Sequence, residues 1–205
     1  VIKESDVLKT NQMWGSWVTL LAGLIFSKPV IARRGYEAYR NLEISGGFSL
    51  YRIALYCTSW LTYHFADLVW LNSGSINDYV VKKFHIDEKK IIVQSNWIDL
   101  ESFCRDEEIQ KYDDRVLFVG RIHPEKRIEL IVKALSGKNL TIDIVGSGEE
   151  QYVKKIKCLA RKANVNVNIL GSFSNRDMPS VYNKYLITVL PSLYEGNPKV
   201  ILEAM

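Results

Sequence analysis

At 205 residues, 47% hydrophobic and 24% charged, the chain has ordinary globular composition and enough length for one large domain or two small ones. Its 27 basic and 23 acidic side chains leave a net charge of +4, too mild to indicate nucleic-acid binding, while weak attraction to anionic headgroups or phosphorylated ligands stays open. Three scattered cysteines (Cys57, Cys104, Cys158) and three histidines (His64, His85, His123) give neither a disulfide framework nor metal-ligand spacing, so no metal is expected and a reducing cytoplasm is the default.

The opening VIKESDVLKT lacks the basic-then-apolar order of a signal peptide. The apolar run from Met13 to Phe26 is too short to span a bilayer. It predicts a buried helix over Trp17–Phe26, with a membrane-surface helix as the alternative. Pro29 to Ala32 predicts a short buried strand, and ARRGYEAYR after it a polar turn. Gly46-Gly47 breaks the chain, and Phe48 to Phe65 carries apolar residues at helical intervals. Leu68 to Leu71 reads as a strand. Ser73 caps a helix running to about Phe84, and Ile91 to Val93 is a third strand.

Asn96 to Arg115 is polar and irregular, and a domain boundary is expected within it, giving domains of 1–105 and 106–205. The rhythm then becomes regular. Strands at Val116–Val119, Leu140–Val145, Val167–Leu170 and Leu186–Leu190 precede helices at Lys126–Leu135, Glu149–Ala163, Asn175–Lys184 and from Pro198. Such alternation predicts an α/β fold with a parallel sheet covered on both faces. Both ends look cut, because the last helix stops soon after it opens and the first half carries few strands. The expected architecture is therefore the rear part of one Rossmann-like domain followed by the front part of another.

Chemistry concentrates in the last stretch, PSLYEGNPKVILEAM. It turns at Glu195-Gly196-Asn197 and opens a helix at Pro198-Lys199-Val200, where free backbone N–H groups favour phosphate. Glu195 and Glu203 flank that helix start, and carboxylates accept hydrogen bonds from neighbouring sugar hydroxyls. Read from the residues alone, the two acids are equally well solvated surface groups. Gly120 and Arg121 stand where a strand ends, with Lys126 at the next helix start. Two such cations can neutralise a diphosphate or can be ordinary surface bases. Gly146 and Gly148 in DIVGSGEE permit a tight turn and close backbone approach.

EGNPKVILEA resembles the Glu-x7-Glu signature of the retaining nucleotide-sugar glycosyltransferases of the two-domain GT-B fold (glycosyltransferase family 4), and VGRIHPEK is similar to their Gly-Arg-x4-Lys segment. Where that family often has Gly after the Lys, this chain has Arg127. The resemblance implies that Glu195 holds donor sugar hydroxyls, Glu203 the nucleotide ribose, and Arg121 and Lys126 the pyrophosphate. It extends to VGSGEE and to the block from Ile169 to Tyr185, which implies that Phe173 and Ser174 meet the base edge; core packing is the alternative for Phe173. Upstream, Ser73 and Asn96-Trp97-Ile98-Asp99 are similar to the family's linker-side block, with Trp97 in place of its usual Gly. Arg33 and Arg34 fall where many relatives carry a His near the acceptor, and are either acceptor-facing or solvated bases.

The implied activity is transfer of a sugar from a nucleoside diphosphate to a hydroxyl with retention, in cell-surface glycan synthesis. No metal or other cofactor is expected. The implied partners are a nucleotide sugar and a glycan or lipid-linked sugar acceptor, with peripheral membrane contact possible at the cytoplasmic face. A nucleotide-sugar epimerase of the same fold and a non-catalytic nucleotide- or glycan-binding module are the alternatives.

Overall fold

The computed structural model describes residues 2–11, 14–35, 37–45 and 50–205. The Gly46-Gly47 break, Phe48, Met13 and Tyr36 of the sequence reading lie outside the described residues. The chain divides into two compact units, Val1–Asn96 and Trp97–Met205. The division lies ahead of the 105/106 boundary because the polar run is fastened to the second unit. Asp106 N donates to Asn183 Oδ1 at 2.9 Å, Asn183 Nδ2 to Cys104 O at 2.9 Å, and Lys111 Nζ to Asn183 O at 3.1 Å.

The first unit is a four-stranded parallel sheet in the order β1 (Leu8–Thr10), β2 (Val30–Arg34), β3 (Leu68–Leu71), β4 (Ile91–Val93). Its helices are α1 (Ser16–Phe26), α2 (Ala38–Ser45), α3 (Leu50–Phe65) and α4 (Gly74–Phe84). β3, α4 and β4 match their predicted spans, and the Ser73 side chain accepts from Ile76 N as an N-cap should. β1 is an additional strand that so short and polar a stretch did not signal.

ARRGYEAYR is not a polar turn: Ala32 to Arg34 end β2, and Ala38 onward forms α2. Nor is Arg34 solvated, whereas Arg33 is half-buried. Arg34 is 2% exposed with its guanidinium 5.7 Å from the Tyr63 ring centre, and Arg33 stands 4.9 Å from the Trp70 ring centre. The buried Glu37 accepts from Tyr39 N at 3.2 Å and from the Tyr63 hydroxyl. Burial pushes its carboxyl above the usual range, against the pull of the Tyr63 hydrogen bond and of Arg34.

α1 differs from expectation in its burial. Only Ser16 and Gly23, seven residues and so about two turns apart, are buried. Those small residues form the contact face. Ser16 Oγ lies 2.6 Å from Thr62 Oγ1, and a Cβ on Gly23 would lie 2.4 Å from Val30 Cγ2. The apolar side chains therefore point outward: Trp17, Val18, Leu21, Leu24 and Ile25 are all exposed. No helix among the described residues is long and apolar enough to cross a membrane.

The second unit holds a three-stranded parallel sheet in the order β5 (Arg115–Val119), β6 (Thr141–Val145), β7 (Asn166–Gly171). Its helices are α5 (Ile128–Leu135), α6 (Glu150–Ala163), α7 (Met178–Asn183) and α8 (Lys199–Ala204). Side chains alternate across the sheet. Val116, Phe118, Ile142 and Ile144 pack on one face with Ile128, Ile131 and Ile156 of α5 and α6. Leu117, Val119 and Val145 pack on the other with Met178, Val181 and Tyr182 of α7, joined by Val200 and Ala204 of α8. A sheet covered on both faces explains why its strands read as apolar runs.

Leu186–Leu190 is not a ladder strand. It runs beside β5, on the side away from β6, and meets it through one isolated parallel bridge, Leu117 to Thr188. The bonds are Leu117 N to Ile187 O at 3.0 Å and Val189 N to Leu117 O at 2.8 Å. Its start is fixed by side chains instead. Asp143, 1% exposed, accepts from the Tyr185 hydroxyl at 2.7 Å, from Asn168 Nδ2 at 2.7 Å and from Arg115 at 3.1 Å.

Candidate active site

The chain of the second unit moves outward from β5 through β6 to β7, then returns to the opposite flank of β5. That reversal makes a switch point, and in open α/β sheets the crevice beyond the strand carboxyl ends at such a point takes ligands. Gly120, which ends the run of β5, and the turn that follows Leu190 both lie there.

The rim is built by three loops laid against each other. Gly120 N donates to Val145 O at 2.9 Å, Ile122 N to Ser147 O at 2.8 Å, and Gly146 N to Gly171 O at 2.7 Å. A Cβ on Gly146 would sit 2.0 Å from Gly120 O, and one on Gly148 2.0 Å from Ile122 O. The two glycines therefore serve close approach between neighbouring loops.

After Ile122 the chain makes a 3₁₀ turn, Pro124–Lys126, rather than starting the long helix predicted from Lys126. Arg127 interrupts it with φ of 51°, a left-handed conformation, and α5 begins at Ile128. A backbone of that hand explains why glycine suits this place. Leu193 N donates to Glu125 O at 2.9 Å, pinning the 191–197 turn onto the Pro124–Lys126 turn. Across this seam Lys126 Nζ donates to Glu195 Oε1. Both side chains are part-buried, at 19% and 25% exposure.

Acid and base 69 positions apart thus meet at one rim. Arg121 is exposed at the same loop, and no hydrogen bond or ion pair joins it to Glu195 among the described residues. Gly196 and Asn197 are half-buried in the turn. Pro198 is the cap of α8 rather than its first helical residue, and the helix has six residues. Val200 is turned to the core, and Lys199 Nζ lies 5.7 Å from the Trp97 ring centre. Trp97 is not among the residues with positive φ, so its replacement of glycine strains no left-handed turn.

Glu203 has a partner of its own, outside the Lys126–Glu195 pair. It accepts from the Tyr182 hydroxyl at 2.9 Å. Burial, then the Glu203 carboxylate, pushes the Tyr182 hydroxyl pKa far up, so it stays a donor. Tyr182 lies in the Ile169–Tyr185 block that resembles the family, but no local spacing ties it to a partner 21 positions away. Phe173 is 42% exposed and so is not a core residue, while Ser174 Oγ donates to Asp177 Oδ2 at 2.7 Å in the turn leading to α7. Among the described residues no group of three His, Cys, Asp or Glu side chains could hold a metal ion.

The chain resembles proteins of known family. The O-antigen biosynthesis glycosyltransferase WbnH of Escherichia coli is 28% identical over 212 residues, which is 100% of this chain and 57% of that protein. The N-acetylgalactosamine-N,N'-diacetylbacillosaminyl-diphospho-undecaprenol 4-alpha-N-acetylgalactosaminyltransferase of Campylobacter jejuni is 28% identical over 148 residues, covering 71% of this chain and 40% of it. The chain spans about half the length of these relatives. Among solved structures, Anabaena HepE in complex with UDP superposes with a TM-score of 0.80 at 19% identity, over 98% of this chain and 57% of HepE. The architecture is the GT-B one. The model of the family described as glycosyl transferases group 1 matches residues 101–205, just over half of the chain and all of the loops above, and the chain belongs to that family.

Proposed function

We propose that the protein transfers a sugar from a nucleoside diphosphate to a hydroxyl acceptor with retention, in the assembly of cell-surface glycan. The observation that carries the reading is the meeting of Lys126 and Glu195 at the switch-point rim. It puts a phosphate-binding cation and a hydroxyl-binding carboxylate within one ligand's reach. In this reading the second unit is the donor side and the first unit the acceptor side.

Negative charge grows on the diphosphate as the glycosidic bond breaks. Arg121 and Lys126 stabilise it, Arg121 through two parallel N–H donors and Lys126 as a point charge. Glu195 orients the sugar once its hydroxyls replace Lys126, and Glu203, steadied by Tyr182, takes the ribose. Gly120 and Gly146 keep the backbone near the phosphates low, Phe173 and Ser174 meet the base, and the 196–200 segment closes over the donor. The relatives named for O-antigen and undecaprenol-linked substrates support a lipid-linked sugar acceptor presented at a membrane surface.

The test is calorimetry with UDP, GDP and their sugars, followed by transfer to an undecaprenyl-diphosphate-sugar panel, on wild type, Arg121→Ala and Glu195→Ala. Arg121→Ala is expected to lower turnover about 100-fold, near 3 kcal/mol of barrier. Binding without transfer to any acceptor would favour a non-catalytic module.

A further inference from the structure

Lys126 and Glu195 are paired with each other, although the function proposed above asks each to hold a different part of the donor. The ammonium that would meet the diphosphate and the carboxylate that would meet the sugar are each other's partners when neither ligand is there. We propose that Glu195 competes with the diphosphate for Lys126, so that departure of the sugar lets the pair re-form and drives the nucleoside diphosphate out. The inference rests on the reading of the site as a nucleotide-sugar site.

With the whole donor bound, Glu195 gives up Lys126 and receives sugar hydroxyls, while Lys126 gives up Glu195 and receives phosphate oxygens. Every charge keeps a partner. With the nucleoside diphosphate alone, Lys126 is taken but Glu195, three-quarters buried, gains no hydroxyl in return. Leaving a part-buried charge without its partner is costly. Glu195 therefore favours the donor over the product, because only the donor replaces what it takes. Both backbones are anchored, by Lys126 N to His123 O at 2.9 Å and by Leu193 N to Glu125 O at 2.9 Å, so the side chains stay in reach of each other throughout.

Weakening a sugar-binding residue should tighten binding of the product. Glu195→Gln keeps the shape and a hydrogen-bonding oxygen but removes the competing charge. On the full-length protein, calorimetry with UDP, GDP, ADP and dTDP should show the bound diphosphate held about fivefold tighter by Glu195→Gln, while the matching nucleotide sugar is held no tighter than by wild type. The tightening should vanish in a Lys126→Met background, because the contested cation is gone; thermal melts of each variant confirm folding. A wild-type protein that binds a diphosphate and a Glu195→Gln variant that binds it equally or more weakly would overturn the inference and leave the site reading intact. Equal tightening with and without Lys126 would also overturn it, since that is plain repulsion. If none of the four diphosphates binds wild type or variant, the site reading itself falls and takes the inference with it.

Discussion

Gly146→Ala tests how the rim is put together. Gly146 has φ of +141°, and a Cβ built there lies 2.0 Å from Gly120 O. Carbon and oxygen normally approach no closer than about 3.3 Å, so one loop must move by more than 1 Å. The strained backbone costs about 1–3 kcal/mol and the overpacking a similar amount, so a total near 3 kcal/mol is expected. For a unit of roughly 100 residues that lowers the melting midpoint by about 10–20 °C. Gly137→Ala is the control, since Gly137 has φ of +75° but nothing within 4 Å of its would-be Cβ. It should cost only the left-handed strain, about 1 kcal/mol. Differential scanning calorimetry of both variants separates the terms. Equal destabilisation by the two substitutions would refute the close-packed rim.

Three further outcomes follow from other parts of the molecule. Tyr182→Phe keeps the ring in the core but removes the donor to Glu203, and in the proposed site should weaken nucleotide binding about fivefold with little change in melting, read by calorimetry. Arg127→Gly relieves a φ of 51° and should stabilise the second unit by about 0.5–1 kcal/mol in urea titration, the strain relieved exceeding the entropy that glycine adds to the unfolded chain. Glu37, whose carboxyl is raised by burial in the fold, contributes stability that is fully present below the unfolded carboxylate pKa of about 4.3 and is lost as pH rises through the higher folded value. Denaturation of the wild type between pH 4 and 8 should therefore show the first unit weakening as pH rises, and Glu37→Gln should flatten that slope; parallel curves would refute it.

What could be read in the sequence was whatever local chemistry decides. Ser73 marks a helix start because its own side chain makes the cap, and Leu68–Leu71 marks a strand because a buried parallel strand is apolar on both faces. Leu186–Leu190 looks the same yet forms a single bridge, since its pairing depends on how Tyr185 reaches Asp143 across the sheet. The run in α1 gave its helix but not its exposure: hydrophobicity does not say which side is covered, and here Ser16 and Gly23 take the contact face. At the rim, Lys126 and Glu195 could be paired only through resemblance, because 69 residues and a chain reversal separate them. Asp143 had no such signal, since only tertiary packing supplies its partners, and the block that holds Tyr182 does not say which carboxylate its hydroxyl meets.

The fixed rim bears on how the site can work. The turn carrying Lys126 is closed by Arg127 N to Pro124 O at 3.0 Å, and the turn carrying Glu195 is tied to it through Leu193. Neither backbone has to open for Lys126 to swing from a carboxylate to a phosphate oxygen. Side-chain rotation takes picoseconds to nanoseconds, whereas loop rearrangement takes up to microseconds. An exchange that needs rotamers alone is thus far faster than any ordinary turnover, and partner replacement at the Lys126–Glu195 seam cannot limit the rate. In the proposed transfer, the slow step then lies elsewhere than at this seam. A pre-steady-state burst of product in the wild type would place the slow step after transfer, and its absence would place it at or before bond cleavage.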